Sequence, residues 1–211
     1  MDIFSFLKKQ PLFREKRKSY TVKDFQFIKK LKDKDMPFLY DDKFLKLIDV
    51  IEAVISIQVE LGSNAIDKQT KKIGWNVLDS NLCYGYYYGF CDAVITTTKF
   101  RAGMVELFYL WVNVIHRVTR VGNSPREFVD YFATIQTEFL DNKKCEFYKG
   151  CIAGGNDAYD WLGEKSTTVM GLVTLLETVK KNILTAIVIL AFMVFLFFFT
   201  LFNVGVFDRQ I

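Results

Sequence analysis

The sequence predicts an all-α protein: a cytoplasmic bundle of about five to six helices, followed by a single C-terminal transmembrane helix that acts as a tail anchor. Three observations predict this architecture. Only three prolines occur in 211 residues, which leaves room for long helices. Apolar residues recur at helical spacing in several segments between residues 41 and 165. The stretch Ile183–Phe207 contains 25 residues without a charged side chain.

Residues 1–40 are predicted to form a basic N-terminal leader. From Met1 to Lys34 there are eleven basic and four acidic residues, so this part carries +7 while the whole chain carries +4. A basic arm beside an anionic membrane surface would gain roughly 1 kcal/mol per Lys or Arg. The alternative is a solvated leader without a partner. Nucleic-acid binding is not expected, because no groove-binding motif accompanies the charge.

Residues 41–165 are predicted to form the helical cytoplasmic domain. Its first helix, Lys43–Leu61, has apolar residues at helical spacing and meets a helix-ending run at Gly62-Ser63-Asn64. Three further helices are predicted from the same periodicity: Trp75–Thr97, Arg101–Arg120 and Lys143–Leu162.

A helix start is predicted at Ser124-Pro125. Ser124 suits the N-cap, Pro125 the first helical position, and Glu127 lies where it completes a capping box. The helix Pro125–Leu140 is expected to follow. Ser166 is expected to cap a juxtamembrane helix over 166–182, and the sequence leaves open whether it continues into the next segment.

Ile183–Phe207 is predicted to be the transmembrane helix. At ~1.5 Å per residue it would extend about 37 Å, enough to cross a hydrocarbon core of roughly 30 Å. Lys180 and Lys181 precede it, and residues 208–211 form a short neutral tail. The positive-inside rule therefore predicts a single-pass protein with a cytoplasmic N-terminal domain and its C-terminus across the membrane. No signal peptide is expected at the N-terminus.

A small-residue pattern, GxxxGxxDA, occurs twice at an offset of 65 residues. Because glycine inside a helix costs about 1 kcal/mol relative to alanine, such a pattern needs a reason. Glycines four apart make a smooth stripe along which two helices can pack closely. The alternative is the floor of a ligand cleft. The residues concerned are Gly85, Gly89 and Ala93 in the first copy, and Gly150, Gly154 and Ala158 in the second.

The first copy, with Cys83 before YGYYYGFCDA, resembles the CxGYxxGxxDA segment of small helical immunity proteins that guard against secreted bacterial toxins. The resemblance covers about a dozen residues. It implies an exported, disulfide-linked relative, whereas this chain is expected to keep its thiols reduced. We interpret the segment as a shared way of packing helices and transfer no functional residues.

No catalytic, cofactor-binding or metal-binding site is predicted. The only histidine is His116, and the four cysteines fit no zinc spacing. Reduced, buried thiols are expected. Asp92 and Asp157 hold matching positions in the repeat and could face each other as paired carboxylates, although hydrogen bonding to Tyr or Lys is the simpler role.

Two aromatic groups are candidate contact surfaces. The run Tyr84, Tyr86, Tyr87 and Tyr88 surrounds one helical turn, and it predicts either an interface or a buried helix with satisfied hydroxyls. In the predicted transmembrane helix, one stripe has heptad spacing and could mediate self-association. That stripe comprises Phe192, Phe195, Phe199 and Phe202.

The sequence favours a non-catalytic, tail-anchored adaptor or scaffold subunit of a membrane-bound multiprotein assembly of the secretion or conjugation type. The expected partners are the lipid bilayer and other protein subunits, with a homo-oligomer left open. The alternative is a membrane-active effector or pore former that oligomerises through its transmembrane helix. A third, weaker alternative is a ligand sensor or enzyme built on a cleft floored by the glycines.

Overall fold

The computed structural model describes residue 24 and residues 42–65, 77–98, 103–119, 124–141, 145–163 and 170–207. Within these ranges the chain forms six α-helices and one 3-10 helix, with no strand, so the predicted all-α class is confirmed. The remainder of the predicted leader and Ser166, the predicted cap of the juxtamembrane helix, lie outside the described residues. The helices are α1 (Asp42–Ala65), the 3-10 helix Val77–Asp79, α2 (Asn81–Thr97), α3 (Met104–Thr119), α4 (Pro125–Asp141), α5 (Glu146–Leu162) and α6 (Gly171–Phe207).

Local capping explains where two of these helices begin. The Ser124 backbone N–H donates to Glu127 Oε2 at 2.8 Å, and the Glu127 N–H donates to Ser124 Oγ at 3.4 Å. This is the predicted capping box at the start of α4. Helix α2 begins later than predicted because Ser80 caps it, its hydroxyl accepting from the Cys83 N–H at 3.3 Å. Helix α1 continues through Gly62-Ser63-Asn64, which was expected to end it.

Aromatic packing around Trp111 forms the centre of the core. Trp111 lies on α3 and has no exposed surface. Its indole N–H donates to the Tyr84 backbone oxygen at 2.9 Å, which joins α3 to α2. Rings from α2, α3, α4 and α5 surround the indole with centroid separations of 5.5 to 6.3 Å, namely those of Tyr84, Tyr88, Phe108, Phe128, Tyr131, Phe132 and Phe147.

Helix α1 packs against α3 and α6 through its apolar stripe, including Phe44, Ile48 and Ile51. At the edge of this contact, one Arg117 nitrogen reaches Asp49 at 2.6 Å and Glu52 at 2.9 Å. Because α1 contacts α6 as well as α3, side chains of α1 lie next to the beginning of the last helix.

Helix α6 is continuous from Gly171 to Phe207, so there is no break at Lys180–Asn182. Its first two turns are docked, with Leu172, Val173 and Leu176 buried. From Glu177 to Leu196, every side chain that the structure describes is exposed. One helix therefore has a docked beginning and a long projecting part.

Among the described residues, no helix combines the length and the apolar character that crossing a membrane requires. By this finding, the predicted transmembrane helix over Ile183–Phe207 is wrong. The predicted location, a single-pass tail-anchored protein with its C-terminus across the membrane, is wrong with it.

Replacing Trp111 by alanine is expected to reduce the free energy of unfolding by about 3–5 kcal/mol, because the change leaves a cavity between four helices. Chemical denaturation followed by circular dichroism measures the loss. Met104→Ala, on the same helix but 58% exposed, is the control and is expected to change stability by under about 0.5 kcal/mol. Equal effects of the two substitutions would contradict the central position of Trp111.

Candidate functional site

Helices α2 and α5 lie parallel and touch through their backbones at the glycines of the repeated pattern. A Cβ atom added to Gly85 would lie 2.9 Å from Phe147 Cα, and one added to Gly89 would lie 2.7 Å from Cys151 Cα. From the other side, a Cβ atom on Gly150 would lie 2.7 Å from the Tyr86 nitrogen. Real Cβ atoms do not approach other atoms this closely, so only glycine fits these positions.

The contact has approximate twofold symmetry that follows the sequence repeat. Gly85 meets Phe147, and Gly150 meets Leu82, which is the same contact with the two helices exchanged: 65 is added to the α2 number and subtracted from the α5 number. Gly89 with Cys151 and Gly154 with Tyr86 form a second such pair. Ala93 and Ala158, one turn further on, are both buried. The duplicated helices are thus packed against each other, and no space remains over the four glycines for a ligand.

Three of the four tyrosines in the α2 run are buried, so they do not form an exposed surface. Tyr84 donates a hydrogen bond to Asp79, and Tyr87 is buried beside Cys83. Tyr88 is half-buried against Trp111, with its hydroxyl 3.6 Å from Met104 Sδ. Tyr86 belongs to a polar cluster on the other side of the glycine contact.

That cluster is a ring of hydrogen bonds linking α1, α2, α5 and α6, which we call the polar ring. Gln58 Nε2 donates to the Tyr86 hydroxyl at 2.8 Å, and this hydroxyl donates to Asp157 Oδ2 at 2.5 Å. Asp157 Oδ2 also accepts from the Gly171 N–H at 2.8 Å. The Leu172 N–H donates to Gln58 Oε1 at 3.0 Å, which closes the ring.

The polar ring satisfies backbone groups that a helix leaves without partners. The first N–H groups of an α-helix have no acceptor within the helix and carry its positive partial charge. Here the carboxylate of Asp157 and the amide oxygen of Gln58 accept from the first two N–H groups of α6. A Cβ atom on Gly171 would lie 2.6 Å from Asp157 Oδ1, so glycine at this position allows the carboxylate to approach.

Sequence reasoning singled out Asp157 but missed Gln58, Gly171 and Leu172. Gln58 is only 1% exposed although it lies in an amphipathic helix with a polar face. Its ring partners are 28 and 114 residues away along the chain. A buried glutamine among apolar neighbours is the one signal that could have revealed it.

Asp92 and Asp157 hold equivalent positions in the repeat but have different surroundings. Asp157 is half-buried in the polar ring, whereas Asp92 is exposed on α2 near Tyr88 and Cys151. Burial raises the pKa of both carboxyls. For Asp157 the hydrogen bonds from Tyr86 and Gly171 lower the pKa in part, and nearby Asp160 raises it further.

The four cysteines are free thiols, two buried and two half-buried. Burial raises the pKa of Cys83 to about 11 and that of Cys151 to about 12, and it also raises the pKa of Cys91. Since the thiolate is the reactive form, these groups are poor nucleophiles at neutral pH. Burial likewise raises the pKa of Tyr86 and Tyr87, which keeps their hydroxyls protonated.

The other predicted residues lie apart from the polar ring. His116 lies in the last turn of α3. Phe192 and Phe195 are exposed on the projecting part of α6, and the side chains of Phe199 and Phe202 lie outside the described residues. No group of three or more His, Cys, Asp or Glu side chains in the described part of the chain could hold a metal ion. No family model, curated protein or solved structure matches this chain.

Gly85→Ala and Gly154→Ala are each expected to reduce the free energy of unfolding by about 1–3 kcal/mol, because a methyl group would force the two backbones apart. Gly155→Ala is the matched control on the same helix as Gly154. Its added Cβ atom would meet its nearest neighbour at 3.7 Å, an ordinary contact. Since alanine is the better helix former, this control is expected to gain up to about 1 kcal/mol. Urea denaturation measures the free energy of unfolding of each variant. Similar values for all three variants would contradict the close packing of α2 and α5 at Gly85 and Gly154.

The pH dependence of stability is expected to change in Asp157→Asn. Because burial raises the pKa of Asp157, the folded state binds the proton more tightly than the unfolded chain does. The stability this proton contributes is fully present below the unfolded pKa, near 3.8, and is lost as the pH rises through the folded pKa. Urea denaturation from pH 4 to 7 should therefore show a smaller decline in the variant. Parallel profiles of stability against pH for the wild type and the variant would contradict the raised pKa of Asp157.

Proposed function

We propose that this protein is a non-catalytic adaptor or scaffold subunit of a multiprotein assembly, and that it binds another protein subunit along the projecting part of α6. One observation carries the proposal. Helix α6 is fixed to the body by its first two turns and then presents large apolar side chains to solvent. Between Leu184 and Leu196, the exposed fractions of these side chains are 43–65%.

The amount of exposed apolar surface supports a binding role. Monomeric soluble proteins rarely expose contiguous apolar patches larger than a few hundred Å². A helix with apolar side chains all around it is ordinarily covered by other structure. The described residues leave the apolar side chains between Leu184 and Leu196 exposed, and a partner subunit that covers them would bury this surface.

The spacing of side chains on the segment supports a helical partner. Val188, Phe192 and Phe195 follow one another at intervals of four and three residues, the spacing of a helix-packing seam. They are among its most exposed side chains, at 65%, 59% and 63%. We call these three residues the α6 seam. A partner that offers an apolar helix would bury it by ordinary ridge-and-groove packing.

The roles of the chemically capable side chains support a non-catalytic function. Tyr86 and Asp157 are engaged in the polar ring, and the thiols with raised pKa stay protonated at neutral pH. Each of these groups contributes to packing or to holding α6. The geometry therefore favours a body that positions a binding segment.

The double substitution Phe192→Ser and Phe195→Ser is expected to reduce recovery of the partner subunit about tenfold, as the loss of central interface anchors does. The measurement is purification of the tagged full chain from its native host after cross-linking in cells. Quantitative mass spectrometry follows, with reciprocal capture through the tagged partner.

Ile152→Ser with Tyr159→Ser is the matched control, since these α5 side chains are exposed to similar degrees, 48% and 52%. The control is expected to retain the partner at wild-type level. Equal recovery from both double variants would contradict the proposal. Recovery of the wild type without any partner protein, as a self-assembled oligomer or bound to lipid, would contradict it as well.

A further inference from the structure

We propose that the polar ring is a latch: it opens as a unit, releasing the first two turns of α6 from the body while the α2–α5 pair stays folded. The inference rests on the ring and on the docking of α6, and it holds independently of what α6 binds. It assigns Gln58, Tyr86 and Asp157 the role of positioning residues for the last helix.

The hydrogen bonds of the ring connect the beginning of α6 to α1, α2 and α5, and few other contacts of the docked turns do so. The two N–H donors belong to the first two residues of α6, whereas the groups that hold them belong to α1, α2 and α5. Apart from the ring, the docked turns of α6 contribute three buried apolar side chains, Leu172, Val173 and Leu176. A contact this small permits local opening well below the free energy of global unfolding.

The chemistry of the ring makes opening an all-or-none event. Gln58 is 1% exposed and Tyr86 has no exposed surface, so the polar groups of these two side chains would be buried and unsatisfied if they lost their partners while α6 stayed docked. Leaving such a group unsatisfied costs about 1–3 kcal/mol. Once α6 has moved away, water can satisfy the same groups. The ring therefore favours either the fully docked or the fully released arrangement.

The repeat supplies an internal comparison for this assignment. Asp92 is equivalent to Asp157, and the residue equivalent to Gly171 is Glu106 on α3. The Glu106 carboxylate lies over its own helix start, where a Cβ atom on Gly103 would be 2.9 Å from Oε2. Asp92 is exposed rather than held against the start of α3. Only the second copy carries the latch.

Hydrogen–deuterium exchange of the full chain tests the latch directly, because the Gly171 and Leu172 N–H groups donate to Asp157 and Gln58 of the ring. With electron-transfer fragmentation to resolve single amides, Tyr86→Phe is expected to accelerate exchange at these two positions roughly tenfold. Amides in the middle of α2 and α5 are expected to change less than about twofold. Tyr87→Phe is the matched control, since it removes the neighbouring buried hydroxyl, which lies outside the ring.

Asp157→Ala provides a second route in case Tyr86→Phe fails to fold, with Asp92→Ala as its control at the equivalent repeat position. The same local acceleration is expected for Asp157→Ala alone. Uniform acceleration across α2, α5 and α6 would show that the ring is part of the global fold, and this would overturn the proposal. Unchanged exchange at Gly171 and Leu172 in both ring variants would overturn it too.

Discussion

The structure depends on one contact, the direct approach of the α2 and α5 backbones at four glycines. Each glycine weakens its own helix by about 1 kcal/mol relative to alanine. The glycines in turn allow two parallel helices to pack closely over several turns, with carbonyl groups of one helix against the Cα atoms of the other. Such dense packing gains many small dispersion contacts that a wider separation would lose. The other helices then cover the faces of this pair, with the Trp111 cluster on one side and the polar ring on another.

A symmetric contact surrounded by unlike sequences explains why the two copies of the pattern have different roles. Gly85 and Gly150 make equivalent contacts because the packing distance leaves no choice of side chain. Asp92 and Asp157 each lie three residues beyond a glycine of the contact, and the packing distance does not restrict them in this way. Asp157 meets Gly171 at the start of α6, whereas the position equivalent to Gly171 in the first copy is Glu106, another carboxylate. Asp92 is exposed rather than held at a helix start, so the two copies differ at a residue that lies outside the pattern.

The parts of the fold that follow from local physics could be predicted from the sequence. The capping box at Ser124 and Glu127 was confirmed because its partners lie three residues apart. The spacing of four between glycines likewise indicated close helix packing, since neighbours on one helix face are fixed by geometry. The polar ring could not be predicted, because Tyr86 and Asp157 are 71 residues apart and nothing local marks them as partners. For the last helix, the long uncharged run predicts a membrane span over Ile183–Phe207, and this prediction is wrong.

Because α6 is one continuous helix, the polar ring at its beginning affects the position of its distant end. Helix formation is cooperative, so a helix whose first turn is capped and docked continues readily into a segment whose described side chains are exposed. With 37 residues at ~1.5 Å each, α6 is about 55 Å long. A rotation of roughly 10° at its docked end would move the far end by about 10 Å. The direction of the exposed apolar segment therefore depends on the docked end of α6, where the polar ring binds the Gly171 and Leu172 N–H groups and three apolar side chains are buried.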